Sequence, residues 1–177
     1  MEKKREIVRL YDETAEKYDA RYAEIQRGKL RYLQRYLPKK ISRLLDVGCG
    51  TGLLLAELEE RAEEAYGVDL SSEMLKVARK RCRKSKLLVA DAENLPFEDG
   101  FFDCIVSFTL LQNLPNPPAA VKEMARVLKK GGTAIITSLK HKHSPEDLRR
   151  WAMDAGLTVV VYGEMEGMED SFCVGVK

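Results

Sequence analysis

Residues 42–52 read SRLLDVGCGTG: a short apolar run that breaks into a loop carrying Gly48, Gly50 and Gly52. An apolar run of this length that stops at glycine reads as a buried strand. Glycines placed directly behind it let the backbone turn tightly and come close to a ligand. The helix expected next, LLLAELEERA at 53–62, starts with free N–H groups facing the same loop.

The same alternation continues downstream. EAYGVDL (64–70), KLLVADA (86–92), FDCIVSF (102–108) and TAIITSL (133–139) read as strands. Between them, SSEMLKVARKRCRK (71–84) is a helix with serine at its cap and basic residues at its end. NPPAAVKEMARVLKK (116–130) is a helix closed by Gly131-Gly132. SPEDLRRWAMDAG (144–156) has Ser144 as cap, Pro145 at its first position and Gly156 as stop. LTVVVYG (157–163) and DSFCVGV (170–176) are the last two strands.

Strands alternating with helices predict an α/β, doubly wound sheet of about seven strands, mostly parallel. The connection EMEGMED between the last two strands is too short for a parallel crossover, so the final strand should be antiparallel. Ahead of the sheet, residues 3–37 follow a helical period through Ile7, Leu10, Tyr11, Ala15, Tyr18 and Tyr22, with Gly28 as a candidate break and Pro38 as a stop. The chain therefore divides into N-terminal helices at 1–40 and one compact sheet unit at 41–177.

Composition narrows the class. The formal net charge is only +2, so bulk charge does not demand a nucleic-acid partner. No apolar run is long enough to span a membrane, and MEKKREIVRL is not a signal-peptide start, so a cytoplasmic protein without a membrane role is expected. Cys49, Cys82, Cys104 and Cys173 form no CxxC pair and no zinc-like spacing, and reduced thiols follow. His141 and His143 lack a carboxylate partner in their loop, so no metal is expected.

In a sheet of this kind ligands bind beyond the carboxyl ends of the strands. Asp46 and the three glycines end the first strand, and Asp69 ends the second, where a carboxylate suits a ribose diol. Asp91-Ala92 ends the third. A dinucleotide fingerprint needs G-x-G-x-x-G, but Leu53 stands where its third glycine belongs, and no substrate domain remains for a dehydrogenase.

The segments LLDVGCGTGLLLAEL, YGVDLSSEMLKVA, ADAENLPFEDGFFDCIVSF and EMARVLKKGGTAIITS, over about residues 41–139, resemble the successive motifs of class I S-adenosylmethionine-dependent methyltransferases, a Rossmann-like family. YDETAEKYD resembles the N-terminal element of the branch with quinone-biosynthesis and tRNA wobble-uridine enzymes. The resemblance implies that Asp46, Gly48, Gly50 and Gly52 line the methionine part of the cofactor. By the same likeness Asp69 binds the ribose hydroxyls, Leu70 and Met74 flank the adenine, and Asp91 and Ala92 meet its polar edge. Ser107 and Phe108 would meet the cofactor's amino end and the acceptor. Tyr18 would lie over the cofactor and Tyr11 toward the substrate, on a helical lid; both also fit as ordinary packing aromatics.

The acceptor is harder to read. The sulfonium methyl is already activated, so transfer needs positioning and water exclusion more than a base. None of the cysteines follows proline, which disfavours covalent pyrimidine methylation at carbon 5. Asn116-Pro117-Pro118 has the letters of an amino-methylating signature, but that signature directly follows the fourth strand, where Ser107-Phe108 stands here. The three residues instead suit a helix start. Gln112 and Asn113 could hydrogen-bond a base edge or serve their own loop. Lys140, His141, Lys142 and His143 form a cationic loop on the ligand edge, which suits a phosphate-bearing acceptor or is a solvated turn. The expectation is an RNA base nitrogen, such as an exocyclic amine. The alternatives are a small-molecule acceptor of the quinone-biosynthesis type, or a non-catalytic cofactor-binding subunit; an activating protein partner fits either.

Overall fold

The structure, a computed structural model, describes residues 22–177. Tyr11 and Tyr18 lie outside the described residues. The first described element, α1 (22–33), runs helically through Gly28 and ends in a 3-10 turn, Gln34–Tyr36, before Pro38. Gly28 is not a break. Its missing side chain admits the Met168 turn, because a Cβ there would lie 3.3 Å from Met168 Cε.

The strands are β1 (Ile41–Val47), β2 (Ala62–Asp69), β3 (Lys86–Val89), β4 (Phe102–Ser107), β5 (Leu128–Leu139), β6 (Thr158–Glu164) and β7 (Asp170–Val176). The helices after α1 are α2 (Leu55–Leu58), α3 (Ser72–Arg81), α4 (Pro117–Val127) and α5 (Pro145–Asp154). The sheet order is β3-β2-β1-β4-β5-β7-β6. β1 pairs in parallel with β2 and β4, and β5 with β4, whereas β7 is antiparallel to both β5 and β6. The expected single reversed strand is therefore β7. The order reverses at β1 and β4, and the carboxyl ends of these two strands define the ligand edge.

Core burial follows the strand pattern. Leu44, Leu45 and Val47 of β1 and Ile105 and Val106 of β4 are fully buried, as central strands covered on both faces require. One core cluster packs α4 and α5 on one face of the sheet. The other packs α1, α2 and α3 on the opposite face.

Two helices are shorter than the sequence suggests. α2 passes into a 3-10 turn, Glu59–Arg61, because buried Glu59 turns inward. Its carboxylate accepts from the Arg83 and Lys84 N–H groups and from Ser85 Oγ. α4 stops at Val127 rather than at the glycine pair. Leu128 is fully buried and already pairs with Phe102, and the extra residues bulge out of β5 before Thr133 meets Cys104. The sequence at 116 behaves as the caps suggest: the Asn116 side chain accepts from the Ala119 N–H, and prolines occupy the first turn of α4.

α1 is fastened to the far end of the chain by a buried ion pair. Lys29 Nζ lies 2.9 Å from Asp170 Oδ2, with the two side chains 3% and 2% exposed. Lys29 also donates to Thr109 Oγ1 at 2.6 Å, and that hydroxyl donates to Asp170 Oδ1 at 3.2 Å. Thr109, directly after the Ser107-Phe108 strand end, has φ 58, the one non-glycine positive φ among the described residues. Its N–H donates to Thr137 Oγ1. A left-handed threonine costs on the order of 1–3 kcal/mol and persists because its surroundings hold it.

Two outcomes follow. Lys29→Met strands the Asp170 carboxylate in the core and should lower urea-unfolding stability by about 3–5 kcal/mol, with much of the loss recovered when Asp170→Asn is added. Asn116→Ala should cost about 1 kcal/mol by removing the α4 cap, with no effect on ligand affinity at the β1 edge; a large affinity loss would return Asn116 to the site.

Candidate functional site

The loop behind β1 is folded over the end of β2. The Gly48 and Cys49 N–H groups both donate to the Val68 carbonyl, at 2.8 and 3.0 Å. Gly48 has φ 80, and a Cβ there would lie 2.9 Å from Leu110, so a side chain is excluded on both counts. Gly52 is used differently: a Cβ would come within 2.5 Å of Cys82 Sγ and 3.1 Å of Ala78, so it seats α3 against the loop. Gly50 faces open space, with nothing within 4 Å of where a Cβ would stand.

The loop brings two carboxylates to neighbouring strand ends. Asp46 is 3% exposed. Its pKa is pushed up to about 7, first by burial and then by the charge of Asp69. Asp69 braces the loop, one oxygen accepting from the Gly50 N–H and the other from the Ser71 N–H, each at 2.9 Å. Arg81, at the end of α3, donates to the Thr51 carbonyl at 2.9 Å, so one member of the basic run reaches back to the glycine loop.

Gln26, Asp46, Gly48, Gly50, Thr51 and Phe108 line a cleft of about 50 Å³ here. Gln26 reaches it from α1, and its Oε1 is buried without a hydrogen-bond partner. Sequence reasoning passed over Gln26 and Lys29. The available signal was their place on the stripe Gln26, Lys29, Leu30 and Leu33, whose apolar members face the core.

The remaining candidates spread along the same edge. Leu70 is 37% exposed beside Asp69, while Met74 is buried. The Asp91 side chain accepts from the Glu93 N–H at 3.0 Å, capping a turn, and Ala92 is buried behind it. Arg126 holds the following segment by donating to the Leu95 and Phe97 carbonyls and to Glu123 and Asp99. Ser107 is fully buried and donates to the Val47 carbonyl at 2.9 Å, tying the ends of β4 and β1 together.

Gln112 is engaged at both ends, its amide donating to the Thr109 carbonyl and its Oε1 accepting from Ser138 Oγ. Ser138 Oγ is in turn 2.8 Å from His143 Nδ1, and the His143 ring meets Trp151 edge to face at 4.9 Å. Burial pulls the His143 pKa below the ordinary imidazole value. Gln112 and His143 thus hold the loops after β4 and β5 together. Asn113 lies in the 3-10 turn Leu111–Asn113 between them. Lys140 leans on the acidic connection between β6 and β7, at 3.8 Å from Glu164 and 3.6 Å from Glu169. His141 and Lys142 are exposed. All four cysteines are buried and free, and no metal-binding group of side chains occurs among the described residues. Nor is any described helix long and apolar enough to cross a membrane.

Known proteins resemble this chain in sequence and in fold. Residues 45–136 match the family model of a methyltransferase domain. The demethylmenaquinone methyltransferase of Thermotoga maritima is 34% identical over 143 residues, covering 77% of this chain and 62% of that protein. The malonyl-[acyl-carrier protein] O-methyltransferase of a Marinomonas species is 34% identical over 154 residues, covering 84% and 57%. The chain spans less than two thirds of the length of either. In fold, it superposes with TM-score 0.78 on a chain from the Haloferax volcanii complex between the Trm112 methyltransferase activator and a methyltransferase, at 22% identity and 94% and 96% coverage. The sheet order, the glycine loop behind β1 and a family match over more than half of the chain agree: the protein belongs to the methyltransferase-domain family.

Proposed function

We propose that the chain transfers a methyl group from S-adenosylmethionine. The observation that carries this reading is Asp46, a buried carboxylate set in a glycine-lined cleft, with Asp69 at the neighbouring strand end. An isolated buried carboxylate is costly and calls for a cation or a proton. The donor set fits the zwitterionic amino-acid end of the cofactor: an acceptor at Asp46, an orphaned acceptor at Gln26, and open space at Gly50. The cofactor, when bound, supplies an electrophilic methyl on a sulfonium.

In this reading Asp46 takes the cationic amino group, and Asp69 accepts from the ribose hydroxyls. Leu70 gives a flat apolar face to the adenine over buried Met74, and Asp91 and Ala92 stand at the adenine's polar edge. Phe108 lines the cleft and excludes water from the reacting centre. Ser107 and Gln112, with their polar atoms already engaged, position Phe108 and Asn113 rather than move a proton. α1, whose Gln26 lines the cleft, serves as a cover over this edge.

For the acceptor we favour an RNA base nitrogen, such as an exocyclic amine, supported by exposed His141 and Lys142 beside the site. The second reading is a small-molecule acceptor. It is favoured by the ion pairs that hold Lys140 on Glu164 and Glu169, which take one charge away from an RNA footprint. The names of the relatives, a demethylmenaquinone methyltransferase and a malonyl-[acyl-carrier protein] O-methyltransferase, likewise point away from RNA.

Calorimetric titration tests the cofactor, with S-adenosylhomocysteine expected to bind and NAD not. The sign with pH is fixed by Asp46. Its folded pKa is raised to about 7, so its charge costs the ligand-free fold stability as pH rises from the ordinary carboxylate range to about 7. Affinity for a cationic ligand end should rise through that window and level off above it. Asp46→Asn should weaken binding and flatten the profile, and a pH-independent wild type would refute the role of Asp46. For the acceptor, labelled cofactor incubated with total RNA and with a lipid and metabolite extract should place label in a modified nucleoside. Label confined to the extract would sink the RNA reading. Transfer by the pure chain in either fraction excludes the non-catalytic alternative.

A further inference from the structure

We infer that Gln26, on α1, is a binding residue for the α-amino group of the cofactor's methionine end, and that α1 is held seated for this purpose. The inference rests on the cofactor reading above and adds a residue from outside the sheet unit. Gln26 is 8% exposed, and its Oε1 is a buried acceptor with no donor among the described residues. Buried side-chain oxygens are almost always paired, so an orphan at the wall of a cleft marks a place where a ligand donor completes the pairing. The cleft it lines is also lined by Asp46, Gly48, Gly50, Thr51 and Phe108, so a ligand donor that enters this cleft comes to Gln26 and Asp46 alike. An ammonium carries three N–H donors and can serve Asp46 and Gln26 Oε1 together. A hydroxyl could satisfy one of the two.

The rest of α1 shows that Gln26 is not where it is by drift. One turn along, Lys29 is clamped by Asp170 and Thr109, and Leu30 and Leu33 are buried in the core under α1. The helix is therefore pinned on the side that faces the cleft. Gly28 lets it sit against Met168 without a clash. Thr109, which shares the clamp, is next to Phe108 in the cleft wall. Helix and strand-four loop are thus set by a single buried cluster.

The probes are S-adenosylhomocysteine and 5′-methylthioadenosine, which shares the adenosine part but lacks the amino-acid end. Titration of wild type, Gln26→Met and Gln26→Leu with both separates the possibilities. Gln26→Met keeps the volume. It should weaken S-adenosylhomocysteine on the order of ten-fold or more, as loss of a hydrogen bond to a charged group does, and leave methylthioadenosine unchanged. Gln26→Leu should do the same. Unchanged S-adenosylhomocysteine affinity in both variants overturns the inference while the cofactor reading stands. An equal loss for both probes also overturns it, since the effect is then one of packing. A wild type that binds neither probe overturns the cofactor reading and this inference with it.

Discussion

The site depends on the cost of holding two carboxylates at the ends of adjacent parallel strands. Asp46 and Asp69 are brought to one edge by the β1–β2 register, which pairs Asp46 with Gly67 and Val47 with Val68. Folding the loop back onto the Val68 carbonyl buries Asp46 and directs the Gly50 N–H at Asp69. Backbone donors stabilise the second charge, whereas the first is left to a proton or a ligand. The local cost is borne by a well-packed sheet, whose central strands β1 and β4 are sealed on both faces. Asp46 is thus a buried carboxylate held in place by the packed strands around it.

A second constraint sets how the site is closed. Lys29, Asp170 and Thr109 come from α1, β7 and the loop after β4, which are remote in sequence. A buried ion pair of this kind is weak evidence for stability, because an apolar replacement is often as stable. What it fixes is geometry. Lys29 satisfies both the Asp170 carboxylate and the Thr109 hydroxyl, and Thr109 is held at φ 58. The carbonyl of that residue takes the Gln112 amide, and through Ser138 the arrangement extends to His143. The polar residues after β4 and β5 are one connected network.

The architecture was legible because it rests on local signals. Alternating strands and helices, the Ser144 and Asn116 caps, and the short connection before β7 each act within a few residues, and the structure follows them. Where tertiary burial competes, local reading fails. Leu128 leaves a good helical pattern because Phe102 pairs with it, and Glu59 ends α2 early because its carboxylate has three donors waiting in the 83–85 turn. Gly28 reads as a break in sequence, yet it is a contact point in the fold. The strand-end residues of the site were legible for the same reason as the strands. Gln26 and Lys29 were not, since the cleft that Gln26 lines and the Asp170 and Thr109 partners of Lys29 are assembled only in the folded chain.

The same contrast explains why the acceptor leaves so faint a mark. Transfer from a sulfonium needs alignment and dryness, and both can be supplied by Phe108, a closed cleft and a fixed loop without any dedicated acid or base. The polar groups that look catalytic in sequence, Ser107 and Gln112, are engaged with the Val47 and Thr109 carbonyls. Lys140 is likewise drawn into the acidic β6–β7 connection, which leaves His141 and Lys142 as the exposed basic residues of the loop. Selection among acceptors then falls to surface shape and charge around the cleft, with the chemistry itself common to all of them. A site of this construction can keep its cofactor geometry while its rim changes acceptor, which is why fold and cofactor are readable here from few residues and the acceptor is not.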